Sequence, residues 1–243
     1  MSHLARGFSV LAFAGLAAVL FGNPAHAQAD KVVDVPTRPG QSVRMLLLTP
    51  SGKAEGSVIL LAGGHGNLRL GKDGSIGWGK GNQLVRTRNT YLARGLAVLV
   101  VDADVNLARA VDYMAAIKRP VTIVATSKGT LRAARGIAGG AKPDALVLTS
   151  GFLTDGSGSR QNVANILGSP RLLPRTLVIA HRHDSCRFTL PAGVEPFVRW
   201  AGGKASVKWL DGGMDSGDPC QARGHHGFNG LDGQVVSAAV GFH

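Results

Sequence analysis

Aromatic side chains make up only 5% of the 243 residues, and there are two cysteines and two tyrosines. The scarcity of aromatics bears on the formal net charge of +12. Lys and Arg are spread along the chain without a recognition motif, so the charge is not a nucleic-acid signature. It serves solubility and favours anionic surfaces or substrates. The cysteines lack CxxC spacing, and no second cluster completes a metal site around His181 and His183. Neither a Walker A nor a GxGxxG pattern is present, which removes the phosphate-binding reading of the glycine-rich segments. Beyond residue 27 no run is apolar for the roughly 20 residues that a bilayer span takes.

What is present begins with a leader. Arg6 supplies a positive start, residues 8–21 an apolar core, and Ala25-His26-Ala27 a small-x-small cleavage site. Residues 1–27 therefore read as a cleaved export signal, leaving one domain from Gln28 onward, in the periplasm or secreted, without stable membrane insertion. In an oxidising compartment Cys186 and Cys220 are expected to form a disulfide.

The mature region alternates strands and helices. Residues 28–50 read as an entry hairpin. Residues 57–62, 96–101, 121–126, 145–149, 176–180 and 206–210 read as strands. Several are continuously apolar, as strands covered on both faces are. Helices are expected at 83–94 with Gly95 as the stop, at 107–117, after Ser127 as far as Gly139, at 197–201 and at 231–240. This alternation predicts an α/β fold with a mostly parallel central sheet flanked by helices. Residues 151–175 leave little room for a cap domain.

The richest stretch is Val121-Thr122-Ile123-Val124-Ala125-Thr126-Ser127-Lys128-Gly129. A buried strand runs into a small-x-Ser-x-Gly turn and then a helix-compatible segment, the arrangement of a nucleophile elbow with Ser127 at its apex. Glycine is the commoner residue where Ala125 stands. A serine hydroxyl needs a base to take its proton, and the base needs an acid to orient it. Sheet-based hydrolases supply these in the order Ser, Asp or Glu, His. Here Asp184 follows the strand at 176–180, and His225-His226-Gly227-Phe228 follows the last strand. All three candidates lie just beyond C-terminal strand ends, where open α/β sheets place their sites.

Together, Leu60-Leu61-Ala62-Gly63-Gly64-His65-Gly66, Ala125-Thr126-Ser127-Lys128-Gly129, the Asp184 loop and His226-Gly227-Phe228 resemble the α/β-hydrolase superfamily. The likeness spans nearly all of residues 28–243. It is greatest to small exported bacterial members of the dienelactone-hydrolase and polyesterase type. The resemblance implies an α/β-hydrolase domain without a large cap, and His226 rather than His225 as the base. It favours Asp184 over Asp155, which lies one strand earlier, and over Asp102 and Asp104, which suit a helix cap or pocket wall. It implies an oxyanion donor from the backbone N–H of Lys128 and a second from the Gly63-to-Asn67 loop, His65 first and Gly64 next. The activity implied is serine hydrolysis of a small-molecule or polymeric carboxylic ester through an acyl-enzyme, with no metal or organic cofactor. A peptidase or amidase with the same residues, and a non-catalytic binding protein on the same scaffold, are the rivals. A Cys186–Cys220 bridge would staple the acid loop to the histidine loop. Trp78 and Tyr91 are candidates for the cleft wall, although a core or surface place suits either. Arg182 and Arg187 are candidates for favouring a carboxylate-bearing ester, with surface solvation the commoner role.

Overall fold

The computed structural model describes Met1 and residues 30–243, so the expected leader lies outside the described residues. Eight strands form one sheet: β1 (Lys31–Arg38), β2 (Gln41–Leu48), β3 (Gly56–Leu61), β4 (Leu96–Val100), β5 (Val121–Thr126), β6 (Ala145–Thr149), β7 (Arg175–His181) and β8 (Ala205–Leu210). Their spatial order is β1-β2-β4-β3-β5-β6-β7-β8. The entry hairpin β1–β2 turns at Gly40, whose φ of +72° suits glycine. It joins β4 antiparallel, and every later pairing is parallel.

β3, β4, β5 and β6 are buried along their whole length. Helices cover both faces, which is why these strands carry unbroken apolar runs. On one face α3 (Leu107–Ile117), α4 (Lys128–Ala138) and α6 (Val194–Trp200) bury Met114, Ile137 and Phe197. On the other, α1 (Gln83–Arg86), α2 (Arg88–Ala93) and α7 (Asp232–Gly241) bury Leu84, Tyr91 and Val236. The segment between β6 and β7 holds only α5 (Val163–Leu167) and two single turns of 3₁₀ helix, so no large cap covers the sheet.

The helix expected over 83–94 is broken in two. Thr87 leaves helical geometry at φ −95°, ψ 1°, and its hydroxyl donates back to the Gln83 carbonyl at 2.7 Å. A threonine that satisfies the preceding turn with its own side chain competes with continuation of the ladder. Gly95 ends the second piece at φ +80°.

The site follows from the topology. After β3 the chain passes to α1 and α2 on one face, whereas after β5 it passes to α4 on the other. Adjacent parallel strands whose connections diverge leave a crevice at their C-terminal ends.

Candidate active site

Ser127 stands between β5 and α4 at φ 52°, ψ −128°, a region L-residues rarely adopt. Its surroundings impose this. The Ser127 N–H donates to the Thr149 carbonyl at 3.1 Å, and Thr130 Oγ1 donates to the Ser127 carbonyl at 2.7 Å. A methyl group on Gly129 would collide with the Leu61 carbonyl, and one on Gly63 would lie 3.0 Å from Ser127 Cβ. The glycines let β3 and the start of α4 approach this closely. Ala125 needs no such relief. It is fully buried within β5, paired with Leu61 and Leu148, and the core accommodates its methyl.

Asp184 and His226 meet in the interior, 4% and 5% exposed. His226 Nδ1 lies 3.1 Å from Asp184 Oδ2. Asp184 Oδ1 accepts from the Cys186 N–H at 3.0 Å, and Oδ2 accepts from Thr189 Oγ1 at 3.0 Å. Thr189 Oγ1 is also 3.0 Å from His226 Nδ1. With its own proton on Asp184, the Thr189 oxygen is free to share the Nδ1 proton, so one threonine braces both partners. The backbone of His226 is anchored separately, its carbonyl accepting from Ser150 Oγ at 2.7 Å. These contacts set the Nδ1–H tautomer and leave Nε2 as the basic nitrogen.

Ser127 and His226 line the same cleft, of about 450 Å³, together with Gly63, Gly64, Trp78 and Lys128. No hydrogen bond joins Ser127 to His226 among the described residues. Phe152 and Phe188, ring centroids 6.1 Å apart, supply apolar wall, and Lys80 and Lys128 are the charged residues on the lining. Trp78 lines the cleft, but Tyr91 is wholly buried in the core beneath α2. Burial raises the Tyr91 phenol well above its usual range. His65 lies beside the cleft rather than on its lining, exposed, with its ring tilted 35° against Trp78 at a centroid distance of 3.8 Å.

Cys186 and Cys220 are joined by a disulfide, Cα atoms 4.6 Å apart, and both border the cleft. The bridge ties the loop bearing Asp184 to the one preceding His226. A stack of histidines lies behind it. His181 and His225 are parallel at 4.2 Å, and His225 Nδ1 is 3.2 Å from the His183 carbonyl. Burial lowers the His181 pKa, partly offset by its contact with the Gly212 carbonyl. His225 is thus engaged with the loops and not with Asp184. Among the described residues no group of three metal-ligating side chains is arranged around an ion.

The other carboxylates have structural partners. Asp155 accepts from Asn162 and Asn165 at 2.7 and 2.8 Å. Asp102 accepts from the N–H of Ala103, and neither Asp102 nor Asp104 borders the cleft. Arg182 lies over Trp209 and Arg187 over Phe188. Thr189 and Ser150 carried no sequence signal, because a single hydroxyl in a loop has no motif. Only the closed fold brings them to the Asp184–His226 pair.

No protein-family profile matches the chain, and no curated protein sequence does. Solved structures do resemble it. A dienelactone hydrolase from Anabaena variabilis is 15% identical with a TM-score of 0.63, over 89% of this chain and 97% of that one. The esterase domain of a Rhodothermus marinus protein is 12% identical with a TM-score of 0.62, over 88% and 96%. An α/β serine hydrolase without a lid, XC6422 from Xanthomonas campestris, is 12% identical with a TM-score of 0.60, over 90% and 96%. At such identities the likeness establishes architecture alone, and this chain has the α/β-hydrolase fold without a large cap.

Proposed function

We propose that the protein is an exported serine hydrolase that cleaves a carboxylic ester. Ser127 is the nucleophile, His226 the general base and then acid, and Asp184 the group that orients and stabilises the imidazolium. The observation that carries this reading is the buried Asp184–His226 pair, 3.1 Å apart, opening on the cleft that holds Ser127 in its strained turn. His226 Nε2 takes the Ser127 proton as Oγ attacks the ester carbonyl. It then returns the proton to the leaving alcohol, and water hydrolyses the acyl-enzyme by the same route. The tetrahedral oxyanion is bound by the backbone N–H of Lys128 and one from the glycine-rich turn at His65 or Gly64. The chemistry calls on no metal or organic cofactor.

Residues 28–243 form the hydrolase domain, and residues 1–27 direct it to the periplasm or beyond. The Cys186–Cys220 disulfide supports this, since such bonds persist in oxidising compartments. No described helix is long and apolar enough to cross a membrane. Esterases and a dienelactone hydrolase among the structural neighbours fit an ester substrate, and a peptidase among them makes the amide the comparison to test.

Turnover of a short-chain nitrophenyl ester against the matching anilide tests the assignment. The ester is expected to be hydrolysed, the anilide to lag by orders of magnitude, and Ser127→Ala to remove ester turnover. An anilide cleaved as well as the ester would point to an amidase. A folded wild type inert to both would point to a binding protein.

A further inference from the structure

One cation beside the site serves none of the roles above. Arg132 lies on α4, five residues after Ser127, and its guanidinium reaches the turn that follows β3. Nη1 donates to the Gly64 carbonyl at 3.2 Å, and Nη2 donates to the Ala62 carbonyl. Gly66, at φ +76°, packs so closely that a methyl group there would strike the guanidinium. Burial lowers the Arg132 pKa, with Arg135 adding to the effect and Asp102 opposing it, but a guanidinium stays charged at any physiological pH. No carboxylate forms an ion pair with Arg132 among the described residues. Its charge is directed at backbone carbonyls.

Those carbonyls belong to consequential peptide units. The Ala62 carbonyl shares its unit with the N–H of Gly63, and the Gly64 carbonyl with the N–H of His65. In a trans peptide the N–H points opposite to the C=O. Holding both carbonyls toward Arg132 therefore turns the Gly63 and His65 N–H groups away from it. A carbonyl that accepts from a cation is also polarised, which strengthens the N–H at the other end of the unit. Because Arg132 lies in the helix that begins at Lys128, directly after Ser127, the turn is held in register with Ser127.

We infer that Arg132 is a positioning residue for the oxyanion-binding turn, orienting and polarising the His65 N–H through the Gly64 carbonyl and anchoring the start of the turn through the Ala62 carbonyl. The inference rests on the serine-hydrolase reading above. Interactions made only as charge develops on the substrate oxygen raise kcat, whereas uniform substrate binding appears in KM. A merely structural brace would show in melting temperature and not in that split.

The test compares full-length wild type with Arg132→Met and Arg132→Lys, using a nitrophenyl ester and an alkyl boronic acid that forms a tetrahedral serine adduct. For Arg132→Met we expect kcat to fall about 10- to 100-fold, somewhat less than removal of a direct oxyanion donor. KM should change less than about threefold. Boronic acid affinity should fall in parallel with kcat, and Arg132→Lys should recover part of both. A folded Arg132→Met with unchanged kcat, or with its loss confined to KM, overturns the inference while leaving the hydrolase reading intact. Should the Met variant not fold, Arg132→Gln keeps a polar head and removes the charge. It should give the same kcat-selective loss, and wild-type kinetics there overturn the inference. A folded wild type that neither hydrolyses the ester nor binds the boronic acid overturns both.

Discussion

Ser127 is placed by backbone, whereas Asp184 and His226 are placed by side chains and a covalent tie. The turn at Ser127 lies between buried parallel strands and the start of α4, with Gly129 and Gly63 allowing atomic contact. At Ser127 itself, Thr130 is the one side-chain hydrogen-bond donor among the described residues. Asp184 and His226 lie on loops after β7 and β8, at one end of the sheet, and β8 is only partly buried. These loops are held by Thr189, Ser150 and the Cys186–Cys220 bridge. A turn at the centre of a sheet inherits its rigidity from the core, while loops near an edge need staples of their own.

This contrast sets an order of sensitivities. The largest effect is expected from Asp184→Asn, which leaves the shape of the loop but removes the charge facing His226 Nδ1. A loss in kcat of about 10⁴ is expected, with KM little changed. Steady-state kinetics on a folded variant check it, and a loss below about tenfold would remove Asp184 from the mechanism.

Reduction of the disulfide comes next. Its removal should destabilise the protein by about 2–4 kcal/mol and lower the melting temperature by roughly 4–16 °C, with activity falling alongside. Calorimetry and activity with and without reductant read this. Unchanged values would mean that the two loops hold without the tie.

The smallest effect is expected from Thr189→Val, which keeps the shape and deletes the hydroxyl shared between Asp184 and His226. Loss of one hydrogen bond to a charged group, worth about 1.5–3 kcal/mol, corresponds to roughly 10- to 150-fold in rate if it is felt fully in the transition state. Steady-state kinetics on the folded variant check it, and an unaltered kcat would make Thr189 a packing residue.

The same contrast explains what could be read from the residues alone. The strand–turn–helix around Ser127 is local, so its apolar run and small flanking residues announce it. The order of Asp184 and His226 after successive strands, and the Cys186–Cys220 pairing, follow from chain order and compartment chemistry. The break at Thr87 was not legible, because it depends on a side chain outcompeting the helix within a pattern that otherwise favours continuation. Tyr91 was ambiguous between cleft and core, because a half-turn of helix decides which face it takes, and α2 turns it inward. The contacts of Thr189 with His226 and of Arg132 with Ala62 span 37 and 70 residues of chain, and such contacts exist only once the sheet has closed.

Whether a hydroxyl, an imidazole and a carboxylate from distant segments act as one unit is read by a fluorophosphonate probe with peptide mapping. Stoichiometric labelling at Ser127, abolished in Ser127→Ala and strongly slowed in His226→Ala, is the expected result. A folded wild type that stays unlabelled, or a label on a different serine, would contradict it.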